Sequence, residues 1–422
     1  MSEKDPSLRR NAPQLQLHVP EPPFRPGDTP DFSSLKIPAA GEAPRPDTGV
    51  PASETHALTT ALVRVLGDDD KSVGAWDPKL DPETLRKMLR DMVTVRIFDD
   101  RMYRAQRQGK TSFYMKCTGE EAIAVAAAAA LDREDMHFPT YRQQGLLISR
   151  GYPLTEMMNQ IYSNKGDKLR GRQLPIMYSD KAHGFFSISG NLGTQFPQAV
   201  GWAMGAAING DSRIAMGWIG DGATAEGDFH SAMTFAAVYN APVILATVNN
   251  QWAISSFSGI AGAERATFAQ RAVGYGIAGL RVDGNDALAV YAAVKWAAER
   301  ARSNKGPTLI EFFTYRAEGH STSDDPSGYR PTNEAKLWPL GDPIERLRAH
   351  LLAIGEWDEE RHATMTAECD AQVRAAQKES EKLGILPQQG KDNIESMFDD
   401  VYADVPWHLA EQRGEALSEG RD

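Results

Sequence analysis

The sequence is short of cysteine, of long apolar runs and of net positive charge, and each shortage excludes a class of protein. Two of its 422 residues are cysteines, Cys117 and Cys369, which excludes a disulfide framework or a cysteine-rich metal site and suits a reducing compartment. The longest apolar run, from Ala122 to Leu131, has about half the length of a membrane span. The formal net charge of -11 argues against nucleic acid or an anionic membrane as a partner. We therefore expect a soluble, cytoplasmic protein.

The first 80 residues differ in composition from the rest of the chain. Ten of the 25 prolines lie within residues 1–50, so this stretch is not expected to be helical. Two interpretations stay open. The stretch is either a disordered tail or an extended arm that lies on another subunit through the apolar side chains of residues 15–24 and 32–38. We predict an extended arm over residues 1–80.

The middle of the chain alternates helical patterns with short apolar runs. The first helical pattern opens with Asp-Pro at 81–82 and closes at Gly109, which are typical helix boundaries. Four apolar runs follow before residue 316, namely RIAMGWI, PVILATV, AGLRV and PTLIEFFTY. Continuous apolar strands between helices are typical of a parallel sheet that is covered on both faces. We predict an α/β domain of this kind over residues 81–330 and a helical region with a tail over residues 331–422.

Polar residues directly follow two of these runs. Gly-Asp-Gly occupies positions 220–222, and Asn-Asn occupies positions 249–250. The first motif also fits the dinucleotide fingerprint, so a nicotinamide-dependent dehydrogenase is one interpretation. The dinucleotide-binding fold, however, requires an acidic residue after the next strand to bind the ribose. This chain has the two asparagines there. A carboxylate at Asp221 would also repel a pyrophosphate unless a cation lay between them.

The spacing of Asp221 and Asn250 favours a cation site. The two residues are 29 positions apart (250 − 221), and a strand-helix-strand unit brings the carboxyl ends of its strands together, where open α/β sheets bind ligands. Carboxylate and amide oxygens suit Mg²⁺, which also keeps places for diphosphate oxygens. A helix predicted to begin near Ala223 would point free N–H groups at the same anion. The sequence therefore predicts a magnesium-bridged diphosphate site.

Gly-Asp-Gly followed after about 30 residues by Asn-Asn is the thiamin-diphosphate motif, and other segments extend the resemblance. The segments RQGKTSFYM, TYRQQGLL, ISGNLGTQFPQAVG, GDGATAEGD, VNNQWAIS, RVDGNDALAVY and GHSTSDDPSGYR resemble the alpha subunits of the decarboxylating component of 2-oxo acid dehydrogenase complexes. The last segment is similar to the branched-chain members, with a pyruvate-type or broad-range 2-oxo acid dehydrogenase as the alternative. The resemblance implies the thiamin-diphosphate-binding fold, thiamin diphosphate and Mg²⁺ as cofactors, and K⁺ as a further candidate. It also implies oxidative decarboxylation of branched-chain 2-oxo acids such as 3-methyl-2-oxobutanoate.

The resemblance also implies roles for individual residues. The expected Mg²⁺ ligands are Asp221, Asn250 and the main-chain oxygen of Trp252. The other expected cofactor contacts are Tyr141, Arg142, Ser189, Leu192, Gly222, Ala223 and His320. His320 is the expected catalytic residue, because a histidine with a pKa near neutrality could move protons or donate a hydrogen bond at the reacting centre. The expected ligands of K⁺ are Ser189, Thr194 and Gln195, with Asn191 as a further candidate.

Each assignment has an ordinary structural alternative. Asp221 could be a helix-cap carboxylate, Arg142 a surface ion pair and His320 a plain loop histidine, while residues 187–195 could be a glycine-rich turn that caps a helix. The chain also departs from the family pattern: Val248 stands where many relatives have arginine. In addition, Asn191 replaces a common proline and Trp252 replaces the usual tyrosine. Related organellar enzymes are switched off by phosphorylation in the loop that here contains Ser321.

The resemblance implies partners as well. In two-subunit members of the family, the glutamate that activates the cofactor belongs to a beta subunit, and nothing in this sequence resembles that subunit. We therefore expect a heterotetramer of two alpha and two beta chains, which passes its acyl product to the lipoyl group of an acyltransferase component. A non-catalytic scaffold with the same fold is the alternative. The presence of Asp221, Asn250, Arg142 and His320 disfavours it.

Overall fold

A parallel β-sheet forms the centre of the molecule. The computed structural model describes residues 16–384, 397–399 and 402–419. Its sheet has six strands in the order β1-β7-β8-β4-β3-β2, and every neighbouring pair is parallel. The strands of the sheet are β1 (Leu62–Val63), β2 (Met136–Phe138), β3 (Ala215–Gly220), β4 (Val243–Asn249), β7 (Ala278–Asp283) and β8 (Thr308–Phe313). A separate antiparallel hairpin consists of β5 (Trp252–Ala253) and β6 (Ser256–Phe257).

Helices surround the sheet. Those of the described residues are α1 (Pro82–Arg107), α2 (Glu121–Ala130), α3 (Gln144–Ser149), α4 (Leu154–Tyr162), α5 (Gln195–Ile208), α6 (Gly227–Val238), α7 (Arg271–Tyr275), α8 (Ala287–Arg302), α9 (Pro343–Ala353), α10 (Glu359–Glu381) and α11 (Trp407–Glu419). The first begins where its pattern predicts, because the side chain of Asp81 accepts a hydrogen bond from the Thr84 N–H and so caps the helix. No helix in these described ranges is long and apolar enough to cross a membrane.

The two faces of the sheet carry separate apolar cores. Successive side chains of a strand point to opposite faces, so Trp218 packs with α1, α2 and α8, whereas its neighbour Ile219 packs with α5, α6 and α7. Both side chains are no more than 1% exposed. The prediction of an α/β fold with a parallel sheet covered on both faces is confirmed.

Part of the predicted arm belongs to the sheet. Strand β1 lies within residues 1–80 and pairs with β7. Val65 and Leu66, which follow β1, are buried, and their N–H groups donate to the Asp286 carboxylate at 2.8 and 2.6 Å. The sheet domain therefore starts before residue 81, because the apolar stretch LVRVL at 62–66 has a buried place at the sheet edge.

The described residues before β1 lie on the body of their own chain. The carbonyls of Pro44 and Pro46 accept hydrogen bonds from the indoles of Trp76 and Trp296. Residues 1–15 lie outside the described part, as does some of the predicted carboxyl-terminal tail, namely 385–396, 400–401 and 420–422. The contact of the arm with another subunit stays a prediction.

Candidate active site

A cleft opens at the carboxyl ends of β3 and β4. These strands are neighbours with Gly220 opposite Val248, so the Gly-Asp-Gly and Asn-Asn motifs leave the sheet side by side, as their spacing predicts. The cleft and the open solvent at its mouth together occupy about 610 Å³. The predicted residues that line it are Tyr141, Arg142, Leu192, Gln195, Asp221, Gly222, Ala223, Asn250, Trp252 and His320. Ser189, Asn191 and Thr194 lie outside its lining.

Asp221 carries a buried carboxylate with one unused oxygen. The residue is 2% exposed. Its Oδ1 accepts the Gly222 N–H at 2.7 Å, whereas its Oδ2 is buried without a hydrogen-bond partner among the described residues. Burial, with a smaller contribution from the nearby carboxylates of Glu120 and Glu311, raises the pKa of Asp221 to about 7. A buried carboxylate oxygen that lacks a partner fits a cation, which would both pair it and favour its ionised form.

Asn250 and Trp252 add neutral oxygens beside Asp221. The Asn250 side-chain amide donates from Nδ2 to Glu120 at 2.7 Å, and its Oδ1 accepts the Trp252 N–H at 3.3 Å. The main-chain oxygen of Trp252 accepts from Arg316 at 3.0 Å, but a carbonyl oxygen has a second lone pair. The described residues contain no cluster of three His, Cys, Asp or Glu that could hold a metal. One carboxylate with amide and carbonyl oxygens is a donor set that suits Mg²⁺ rather than zinc.

The two asparagines of the pair serve different sides of the sheet. Asn249 is the last residue of β4, and its Nδ2 donates to the buried Glu311 of β8 at 2.7 Å. Asn250 faces the cleft. The motif therefore divides its two amides between the core of the sheet and the site.

The turn after Asp221 differs from the prediction. Residues Gly222–Ala225 form a single 3-10 turn, Glu226 is extended, and helix α6 begins at Gly227. The prediction of a helix start near Ala223 is therefore wrong. The Gly222 N–H is also bonded to Asp221 rather than left for an anion. A Cβ at Gly222 would lie 2.5 Å from the Cβ of Ala253, so glycine is required here because the β5–β6 hairpin packs against it.

Arg142 is a buried clamp between two loops. It is 4% exposed, which rules out the surface ion pair. One terminal nitrogen donates to the Lys116 carbonyl, and the other donates to the His320 carbonyl at 2.7 Å and to its ring Nδ1 at 3.0 Å. Tyr141 packs edge-on against His320, with ring centroids 5.7 Å apart. The predicted contact of Arg142 with the cofactor would therefore need some of these bonds to be exchanged.

His320 is neutral in these surroundings. Burial and the positive charges of Arg142 and Arg316 lower its pKa to about 3, so the prediction of a pKa near neutrality is wrong. Since arginine has no acceptor, the ring Nδ1 must accept the bond from Arg142, which leaves the proton on Nε2. The neighbouring Ser321 is 9% exposed, and its Oγ accepts the Ser323 N–H at 3.2 Å. The Ser321 hydroxyl is thus inside the loop and not on the surface.

The predicted potassium loop is partly assembled. Gln195 is 2% exposed and donates to the Ser189 carbonyl at 3.1 Å, while its Oε1 is buried without a partner among the described residues. The hydroxyl of Ser189 accepts the Asn191 N–H, and that of Thr194 donates to the Asn191 carbonyl. Leu192 is 48% exposed. Gln195 therefore offers the one unused buried oxygen of this set, and the K⁺ site stays a prediction.

Two charged residues of the site are absent from the sequence prediction. Glu120 lines the cleft and is 3% exposed. Arg316 is 1% exposed and donates to the carbonyls of Trp252 and Ile254. The available signal for Glu120 is the pair Glu-Glu at the start of α2, whose remaining residues are all apolar, a place where a charge needs a reason. Arg316 gives no comparable signal.

Comparison with known proteins agrees with this geometry. The family model described as dehydrogenase E1 component matches residues 89–388. A second model, described as the N-terminal region of 2-oxoisovalerate dehydrogenase E1 alpha subunits, matches residues 13–53. The chain therefore belongs to the dehydrogenase E1 component family.

Within this family, the chain is similar to individual alpha subunits of 2-oxoisovalerate dehydrogenase. The chain is 60% identical to the 2-oxoisovalerate dehydrogenase subunit alpha of Pseudomonas aeruginosa, over 95% of this chain and 98% of that protein. It is 40% identical to the mitochondrial subunit alpha 2 of the same enzyme from Arabidopsis thaliana, over 85% of this chain and 75% of the relative. The mitochondrial subunit alpha from Homo sapiens is 41% identical over 80% of this chain and 74% of its own length.

Proposed function

We propose that this chain is the alpha subunit of a thiamin-diphosphate-dependent enzyme that oxidatively decarboxylates branched-chain 2-oxo acids such as 3-methyl-2-oxobutanoate. The acyl product would pass to the lipoyl group of an acyltransferase component. The observation that carries the proposal is the 60% identity over 95% of the chain to a 2-oxoisovalerate dehydrogenase subunit alpha. The cleft supports it, because Asp221 and Asn250 both line it at the ends of neighbouring strands.

The residues of the cleft fit a magnesium diphosphate. Asp221, Asn250 and the Trp252 carbonyl would hold Mg²⁺, and the buried Oδ2 of Asp221 lacks any other partner among the described residues. When bound, thiamin diphosphate supplies the electron sink for loss of carbon dioxide. The chain's own residues bind it, orient it and exclude water.

His320 would act as a hydrogen-bond donor. Its pKa of about 3 keeps the ring neutral at pH 7, and its Nε2–H is the free end because Nδ1 accepts from Arg142. An anion in the cleft would raise this pKa, since it opposes the positive charges that lower it. Arg142 fixes the ring by bonding both its Nδ1 and its carbonyl.

The cleft also supports a site that is completed by a beta subunit. Among the described residues, the carboxylates that line it are Asp221 and Glu120, and Glu120 is bonded to Asn250. Neither is free to serve as the general base near the reacting end of a cofactor. Leu192 lines the cleft and is 48% exposed, and Ile254, next to the cleft-lining Ala253, is 54% exposed. A partner chain in an α2β2 assembly would cover them and bring the missing glutamate.

The test is calorimetric titration of thiamin diphosphate and Mg²⁺ into this chain alone and with a beta subunit. We expect Mg²⁺-dependent binding, strongest with the partner, and turnover of branched 2-oxo acids in preference to pyruvate. Preference for pyruvate would indicate the pyruvate-type enzyme. Asp221→Ala that assembles but keeps full activity would indicate a non-catalytic subunit. Binding of NADH without thiamin diphosphate would overturn the proposal.

A further inference from the structure

Glu120 is a buried carboxylate that faces the cleft and has no role in the proposal so far. It directly precedes α2 and is 3% exposed. Its Oε1 accepts a hydrogen bond from Nδ2 of Asn250 at 2.7 Å. A carboxyl group buried beside the cleft needs polar partners.

The hydrogen bond to Glu120 selects one of two orientations of the Asn250 amide. The oxygen and nitrogen ends of such an amide are similar in size, so neighbours decide which end points where. An ionised carboxylate only accepts, and it therefore takes the NH₂ end. The Trp252 N–H only donates, and it lies 3.3 Å from the oxygen end. A flipped amide would set donor against donor at Trp252 and acceptor against acceptor at Glu120.

The neighbouring glutamate shows that this contact is specific. Glu121 points away from the cleft, where its Oε1 accepts from Arg96 at 2.7 Å and its Oε2 accepts the Gly119 N–H at 2.8 Å. The nearest cation to Glu120 is Arg142, whose Nε lies 4.0 Å from Oε1, beyond hydrogen-bond distance. The bond to Asn250 is thus the direct polar contact of the Glu120 side chain within the described residues.

We propose that Glu120 is a positioning residue that directs the amide oxygen of Asn250 toward the cation of the cofactor site. The inference rests on the proposed function. Glu120 does not itself contact the cation. It sets the affinity for the cation through Asn250, as outer hydrogen-bond partners of metal ligands commonly do.

The experiment compares variants that keep or remove the acceptor. Glu120→Gln still offers a carbonyl oxygen to Asn250, whereas Glu120→Met keeps the volume without an acceptor. Binding of Mn²⁺, which takes the same oxygen ligands as Mg²⁺, is measured by electron paramagnetic resonance on the full chain with thiamin diphosphate and the beta subunit. We expect Glu120→Met to weaken Mn²⁺ binding by about 10- to 100-fold. Glu120→Gln should stay within about threefold of the wild type, and saturating metal should restore turnover in both variants.

The controls separate the possible failures. Glu121→Gln should lower the melting temperature without changing the Mn²⁺ affinity, and Glu120→Ala replaces the Met variant if that variant does not fold. Wild-type affinity in the Met or Ala variant would overturn the inference. So would an equal loss in the Gln and Met variants, because the charge and not the acceptor would then matter. Absence of Mn²⁺ binding to the wild type would instead overturn the proposed function.

Discussion

Asp221 is held in a place that disfavours its own charge. Its folded pKa of about 7 lies above the ordinary value of 3.8, mainly because it is buried. Folding therefore takes up a proton at this carboxyl group between those two pH values. Without a cation, the buried charge destabilises the fold fully above pH 7, and this destabilisation disappears as the pH falls toward 4. A bound cation would pair with this charge and so remove the destabilisation.

Asp221→Asn should stabilise the chain when no metal or cofactor is added. The pKa shift of Asp221 corresponds to a gain of roughly 4 kcal/mol in the free energy of unfolding of the variant at pH 8. The gain arises because the amide has no charge to bury. Chemical denaturation at pH 8 and at pH 4.5 measures it. The gain should be present at pH 8 and small at pH 4.5. An equal gain at both pH values would show that the charge of Asp221 is not its cause.

Gly222→Ala should destabilise the chain through the β5–β6 hairpin. The added methyl group would lie 2.5 Å from the Ala253 Cβ, and such overpacking costs about 1–3 kcal/mol. Thermal unfolding measures the effect. Gly220→Ala is the matched control, since a Cβ there meets nothing within 4 Å. Adding Ala253→Gly to the Gly222 variant should restore most of the loss, and failure of this rescue would contradict the explanation.

At the scale of elements, the site depends on loops that are tied together by buried arginines. Arg142 joins the loop at Lys116 to the loop at His320. The same two loops also pair through main-chain atoms, since the Thr322 N–H donates to the Tyr114 carbonyl at 2.9 Å. A change at one loop should therefore be felt at the other.

Arg142→Lys should loosen the loop that carries His320. Lysine cannot reproduce the planar fork that reaches both carbonyls, and loss of one charged hydrogen bond, about 1.5–3 kcal/mol, would speed amide exchange in residues 319–324 by about tenfold or more. Hydrogen–deuterium exchange with mass spectrometry measures this. Arg300→Lys is the control, because Arg300 holds the carbonyls of Thr48 and Val50 instead. Equal exchange of residues 319–324 in the wild type and the Arg142 variant would contradict the clamp.

The sequence predicted the long elements well and the short ones poorly. Each of the four longer strands matches its apolar run to within two residues at either end, because nearly all of its six or seven residues are buried. Strands β1 and β2 have two and three residues, too few for any period. The predicted helix start near Ala223 is wrong for α6, because the extended Glu226 interrupts an otherwise helical stretch.

The same limit applies to the site. Asp221 and Asn250 could be predicted because adjacent strands fix where their ends meet. The contact of Glu120 with Asn250 joins residues that are 130 positions apart, and the bond of Arg316 to Trp252 spans 64. Such contacts depend on how loops pack across the sheet edge, which no local pattern encodes. The neutral state of His320 likewise arises from two arginines that only the fold brings near.

At the scale of the whole molecule, the amino-terminal region is part of the folded body. Strand β1 and the buried Val65 and Leu66 complete one edge of the sheet. Residues near Phe32 pack on a separate small cluster around Trp338, with ring centroids 5.5 Å apart. The two parts of this region should therefore contribute very differently to stability.

Removal of residues 1–30 should leave a cooperative fold, whereas removal of residues 1–70 should abolish it. The longer deletion takes away Val63, Val65 and Leu66, each worth about 1.5–3 kcal/mol when buried, which together approach the whole stability of a typical domain. Circular dichroism during thermal unfolding measures both variants. A sharp transition in the longer deletion would show that the sheet edge is dispensable.

The two asparagines at the end of β4, Asn249 in the strand and Asn250 directly after it, have a consequence in genetic terms, because adjacent codons should give two distinct phenotypes. Alleles at codon 249 remove the donor to Glu311 inside the sheet, so they should be temperature-sensitive and reduce the amount of protein. Alleles at codon 250 change the cleft, so they should abolish turnover of branched-chain 2-oxo acids at every temperature with normal protein levels. Activity assays of cell extracts at two temperatures with immunoblots would distinguish them. A shared phenotype would mean that the two asparagines act as a single functional unit.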